Sequence, residues 1–216
     1  MSRRAIADAP RRGPGGRPGA LRLGFSLTPG LRVGLYGGSF NPAHAGHAHV
    51  AETARERLRL DRVIWLVSPQ NPLKTSAETA SLAARLAGAR RVARGPSMIV
   101  ADAESRLGTR YTIDTIRALK ARFPGVKFVW IMGADGLAEF HRWRGWTEIF
   151  REVPVAVIAR PGVSLKSRFS PAARRFARFR RPAAALPGAQ PPAWAYLTAP
   201  LHFHSSTDLR RAAAAS

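Results

Sequence analysis

From Gly37 to His47 the chain reads Gly-Gly-Ser-Phe-Asn-Pro-Ala-His-Ala-Gly-His. His44 and His47 lie three residues apart, so at a helix start their imidazoles point the same way, and Gly37 and Gly38 follow an apolar run that reads as a strand. Glycines at a strand end allow a sharp turn and close backbone approach to a ligand. Helix N-terminal N–H groups and imidazole donors beside such a turn suit the oxygens of a polyphosphate. Taken alone, two histidines at this spacing read equally as surface residues. The Ser39-Phe40-Asn41-Pro42 context after the first strand favours the phosphate reading. Neither a Walker A pattern nor a Gly-x-Gly-x-x-Gly follows a strand, which sets aside P-loop and dinucleotide fingerprints.

Four further runs could carry chemistry, and each has a plainer reading. Lys74 ends Ser68-Pro69-Gln70-Asn71-Pro72-Leu73-Lys74, and a lone loop lysine is normally solvated. Tyr111 and Thr112 open an amphipathic helix and read as cap and staple. Asp135, in Met132-Gly133-Ala134-Asp135, precedes Trp143 and Trp146, which could be ordinary aromatics. Ser205-Ser206-Thr207-Asp208-Leu209-Arg210 reads as a helix cap. Capping and anion binding are compatible there, since free N–H groups, the Ser206 hydroxyl and the Arg210 guanidinium make a second phosphate site. No Ser–His–acid arrangement or carboxylate dyad is legible. With no cysteine at all, thiol catalysis, disulfides and zinc ribbons are excluded, and any metal must sit on oxygen or imidazole.

The elements that must position these residues alternate. Strands are expected at 32–36, 63–67, 98–101, 128–132, 155–159 and 195–198. Helices are expected at 45–60, 77–93, 112–123 and 147–153, with an Ala-rich helix at the end. Continuous apolar strands between amphipathic helices predict an α/β fold: a doubly wound, Rossmann-like parallel sheet with helices on both faces, in a single domain. Residues 1–30 hold six Gly, four Pro and six Arg and read as a flexible basic tail; the domain spans 31–216, with 161–192 a basic Pro-rich linker inside it.

The net charge of +22, from 35 Lys+Arg against 13 Asp+Glu, raises polyanionic partners. Residues 1–30 contribute +5 and 161–192 contribute +7, so over half of the excess sits in two stretches outside the strands. Only four of the 35 cations are Lys, a pattern that coding bias can produce as readily as a binding surface. A dedicated nucleic-acid-binding role is therefore disfavoured, though it stands as the alternative from another class. No apolar run reaches membrane-spanning length and no signal-peptide core is visible, so a soluble, cytoplasmic protein with no membrane partner is expected. A homo-oligomer is left open.

The five runs together resemble the HxGH nucleotidyltransferases and, within them, the bacterial nicotinate-nucleotide adenylyltransferases, over roughly residues 31–211. Departures are His204, where an aliphatic residue is usual, the 1–30 tail and the Arg excess in 166–181. The resemblance implies adenylyl transfer from ATP to nicotinate mononucleotide, yielding nicotinate adenine dinucleotide and pyrophosphate in NAD biosynthesis. It assigns catalysis to His44 and His47, with ATP and phosphate binding by Gly38, Ser39, Phe40, Ser206, Thr207 and Arg210. Mononucleotide binding falls to Lys74, Tyr111, Thr112, Asp135 and Trp143. Mg²⁺ would be carried on the ATP phosphates with no dedicated metal site on the protein. A sister activity, phosphopantetheine adenylyltransferase or cytidylyltransferase, is the alternative on the same loop; it does not predict the Tyr-Thr and Asp…Trp elements.

Overall fold

The structure, a computed structural model, describes residues 23–69, 79–159 and 165–198. Lys74, His204, Ser206, Thr207, Arg210 and the Ala-rich terminal helix lie outside the described residues.

Six strands, β1 (Arg32–Gly38), β2 (Arg62–Val67), β3 (Met98–Ala101), β4 (Lys127–Gly133), β5 (Val155–Ala159) and β6 (Trp194–Thr198), form one sheet. Their order is β3-β2-β1-β4-β5-β6 and every pairing is parallel. Both faces are covered, which is why the strands read as unbroken apolar runs. Val33 and Leu35 of β1 enter one core; Tyr36, on the opposite face, enters the other. α1 (Ala45–Arg57) and α2 (Leu82–Val92) cover the second face. α4 (Thr112–Arg122), α5 (Ala134–Glu139), α6 (Trp146–Glu152) and α7 (Pro171–Arg175) cover the first, together with the short α3 (Ala103–Leu107).

The predicted strands agree with those observed to within two residues. Three helices were not predicted: α3, α5 and α7, each five or six residues long. Helices of this length span too few turns to show a 3.6-residue period.

Two boundaries differ from the sequence reading. Leu23 and Leu27 are buried, and Phe25 stacks on Phe123 with ring centroids 5.7 Å apart, so the domain is already packed at Leu23 rather than starting at residue 31. Leu23, Phe25 and Leu27 alternate with Gly24 and Ser26, a short period of two that the Gly-, Pro- and Arg-rich composition of the stretch outweighed. The stretch read as a linker is also packed. Ala172, Ala173, Phe176 and Leu186 are buried, the Phe176 ring lies parallel to Phe150 at 4.2 Å, and the Trp194 indole N–H donates to the Phe176 carbonyl at 2.8 Å. Its arginines all face solvent, Arg168, Arg174, Arg175 and Arg178 from short helical turns and Arg180 and Arg181 from the stretch beside Trp194, which is what made the segment look uniformly basic.

Candidate active site

The chain leaves β1 toward β2 on one side of the sheet and leaves β4 toward β5 on the other, so the carboxyl ends of β1 and β4 flank the topological switch point. A cavity of about 250 Å³ opens there. Gly37, Gly38, Ser39 and Ser68 line it from the ends of β1 and β2, Glu104 from α3, Arg110, Tyr111 and Thr112 from the start of α4, Trp130 from β4, and Arg142, Trp143 and Arg144 from the segment between α5 and α6.

The glycines of the first loop serve ring packing. Both belong to β1, and a Cβ at Gly37 would collide with the Trp130 ring while one at Gly38 would come within 3.0 Å of the Phe40 ring. Phe40 turns inward: it is 2% exposed and packs on Tyr36, Trp65 and His47. Its φ of +47° is in the left-handed region, rare for a bulky residue, and is held by that packing. The side chain assigned to phosphate binding is thus a core anchor, and only its backbone remains available to a ligand.

His44 and His47 cap α1 reciprocally. Gly46 N–H donates to His44 Nδ1 at 3.0 Å, and the His44 backbone N–H donates to His47 Nδ1 at 3.2 Å. The two rings lie 3.9 Å apart. A nitrogen that accepts a backbone N–H carries no proton, so both neutral imidazoles are held as the Nε2–H tautomer. Each therefore presents an N–H donor at its outer end. His44 is buried and His47 half-buried beside Tyr36. Neither histidine is among the cavity-lining residues; they start the helix that continues its first loop.

Tyr111, also in the cavity lining, is the N-cap of α4, with no side chain capping that helix end. The Arg144 guanidinium lies 4.4 Å from the centre of the Tyr111 ring and that of Arg110 lies 5.8 Å from it. Trp143 is half-buried and meets Trp130 edge to face at 6.2 Å. The Trp130 indole N–H is buried with no partner among the described residues. Asp135 is exposed in the first turn of α5 and lies outside the cavity lining. Of the sequence-predicted site residues, Gly38, Ser39, Tyr111, Thr112 and Trp143 thus share one cavity.

The cytidylyltransferase-like family model matches residues 35–212. A Caulobacter sp. (strain K31) protein named "Probable nicotinate-nucleotide adenylyltransferase" is 72% identical over 183 residues, covering 83% of this chain and 97% of its own. A Cereibacter sphaeroides (strain ATCC 17025 / ATH 2.4.3) protein of the same name is 60% identical, covering 82% and 96%. The chain belongs to the bacterial nicotinate-nucleotide adenylyltransferases. It is a nucleotidyltransferase of the cytidylyltransferase-like class. The Rossmann-like architecture of these transferases is also that of the Plasmodium falciparum nicotinic acid mononucleotide adenylyltransferase complexed with NaAD, matched with a TM-score of 0.63 at 16% identity over 83% of this chain and 82% of that one.

Sequence reasoning missed Glu104, Trp130 and Arg85 in this transferase. Glu104 is 6% exposed, and burial pushes its carboxyl above the usual carboxylate range, opposed by a hydrogen bond from Ser68. Its signal in the sequence, Asp102, Glu104 and Arg106 spaced among small residues, looks like a solvated helix face. No helix among the described residues is long and apolar enough to cross a membrane.

Proposed function

We propose that the chain transfers the adenylyl group of ATP to nicotinate mononucleotide in the cytoplasm, giving nicotinate adenine dinucleotide and pyrophosphate for NAD biosynthesis. An oxygen of the mononucleotide phosphate forms a bond to the α-phosphorus of ATP. The bond from that phosphorus to the bridging oxygen breaks, and pyrophosphate leaves with the electron pair. The attacking group is already an anion, so the protein needs no nucleophile of its own, and catalysis reduces to alignment and charge stabilisation.

One observation supports the reading: His44 and His47 cap α1 through Nδ1, which makes Nε2 the N–H side of each ring, directly after the loop whose Gly38 and Ser39 line the aromatic cavity. In this assignment His47 meets the α-phosphate and His44 the β- and γ-phosphates, where fixed donors are worth most as charge develops. Gly38, Ser39 and the Phe40 backbone hold the triphosphate, and Ser206, Thr207 and Arg210 grip the leaving pyrophosphate. The nicotinate ring rests against Trp143, while the uncapped α4 N-terminus at Tyr111 and Thr112 receives its carboxylate. Lys74 and Asp135 complete the mononucleotide site.

Mg²⁺ fits as a passenger on ATP. The donors around the first loop are N–H and hydroxyl groups suited to phosphate oxygens, and among the described residues no three metal-ligating side chains gather. When bound, Mg²⁺ would neutralise triphosphate charge. The test is pyrophosphate release from ATP and Mg²⁺ with a panel of phosphorylated acceptors. Nicotinate mononucleotide should be used best, and release with none of the panel would overturn the reading.

A further inference from the structure

Arg85, in the first half of α2, is 4% exposed and has no carboxylate partner among the described residues. Its guanidinium donates instead to four backbone carbonyls on three separate segments. Nη1 reaches Ser39 at 2.9 Å and Ser68 at 2.6 Å, Nη2 reaches Pro69 at 2.7 Å, and Nε reaches Ala80 at 2.9 Å. Ser39 belongs to the loop after β1 and Ser68 to the loop after β2, and both line the active-site cavity.

A cation buried on neutral acceptors loses its hydration without gaining an opposite charge, and burial indeed lowers its pKa from the usual arginine value. Such an arrangement persists only when every donor is well placed. A planar fork of five donors can hold several carbonyls at fixed directions, whereas the single ammonium of lysine cannot. Ser39 also directly precedes Phe40, whose left-handed backbone needs its surroundings to hold it. In the trans peptide between them the N–H of Phe40 points opposite to the Ser39 carbonyl, so the grip on that carbonyl fixes the direction of the Phe40 donor. A second tie runs parallel, the Ala80 N–H donating to Asn41 Oδ1 at 3.1 Å.

We propose that Arg85 is a positioning residue for adenylyl transfer: just beyond the point where the Ser68 N–H donates to the Gly38 carbonyl, its grip on the Ser39 and Ser68 carbonyls holds the phosphate-binding loop after β1 against the mononucleotide-side loop after β2. The inference rests on the proposed transfer reaction. Arg85 touches no substrate; it acts through the two loops. In-line attack tolerates little displacement of one reactant against the other, so loosening the clamp should fall on turnover more than on binding.

The test uses Arg85→Lys and Arg85→Gln in the full chain, with kcat and both KM values measured per folded enzyme, well below each variant's melting temperature. Pyrophosphate release by the unsubstituted protein is the control, and its failure would count against the transfer reading rather than against the clamp. The expected result is a fall in kcat of about 10-fold or more in both variants, with KM for ATP changed by less than about 3-fold. Retention of kcat in the lysine variant would overturn the proposal. So would a loss of rate matched by loss of folded protein, including failure of both variants to fold, because Arg85 would then serve stability alone.

Discussion

His47 Nδ1 accepts the backbone N–H of His44 at 3.2 Å while the two imidazoles lie 3.9 Å apart, so the pair proposed to meet phosphate is also the pair that starts α1. Capping and chemistry can be separated by substitution. His44→Asn keeps a side-chain acceptor for the Gly46 N–H and should hold the melting temperature near that of the unsubstituted chain, whereas His44→Ala should lose about 1 kcal/mol. Neither should keep full turnover. His47→Ala should reduce kcat by about 10² or more with little change in circular dichroism, as removal of a donor to developing charge does. Full rate in either His47→Ala or His44→Asn would detach the histidines from the reaction.

Leu23 is 3% exposed and sits in the core that α4 and β4 share. Leu23→Ala should destabilise by about 2–5 kcal/mol, the range for a buried leucine. Chemical denaturation of a chain lacking residues 1–28 should show a similar or larger loss relative to one lacking 1–22. Equal midpoints for the two truncations would mean that residues 23–28 contribute nothing to the fold.

Glu104 should make stability depend on pH in a defined direction. Its native pKa is raised by burial, so the folded chain holds this proton to higher pH than the unfolded chain does. The contribution is fully present below the ordinary glutamate value and is lost as pH rises through the raised native value. Glu104→Gln removes the titration while keeping an acceptor for Ser68. The melting temperature of the variant relative to the unsubstituted chain should therefore climb from pH 4 to pH 8. A difference that stays flat across that range would show that Glu104 titrates normally.

Trp143 meets Trp130 edge to face and borders the cavity beside Thr112. Trp143→Ala should raise KM for nicotinate mononucleotide by about 5-fold or more, from losing roughly 1–3 kcal/mol of ring stacking, and should leave KM for ATP much less affected. The uncapped start of α4 favours a carboxylate over a neutral carboxamide, so the acid mononucleotide should be used better than the amide. Initial-rate measurements on both acceptors check this. Equal use, or a defect confined to ATP, would move the pyridine ring away from Trp143.

The amino-acid sequence alone determined the parallel α/β architecture, because apolar runs such as Val63–Val67 and helical spacings such as Ile113, Ile116 and Leu119 are local periodicities that need no partner to be read. It also determined the family, through short runs such as Ser39 to His47 whose residue types act together at fixed spacing. Only tertiary structure decided where individual side chains went. Phe40, four residues before His44, belongs to the core because Gly38 leaves room for its ring, and Asp135 stays outside the cavity although Trp143, eight residues on, borders it. Arg85 shares α2 with the exposed Arg90 and Arg91. Its burial follows from four carbonyls supplied by residues up to 46 positions away, and no local pattern encodes an acceptor set assembled by the folding of distant loops. The same reason hid Glu104, whose proton affinity is set by the walls that close around it.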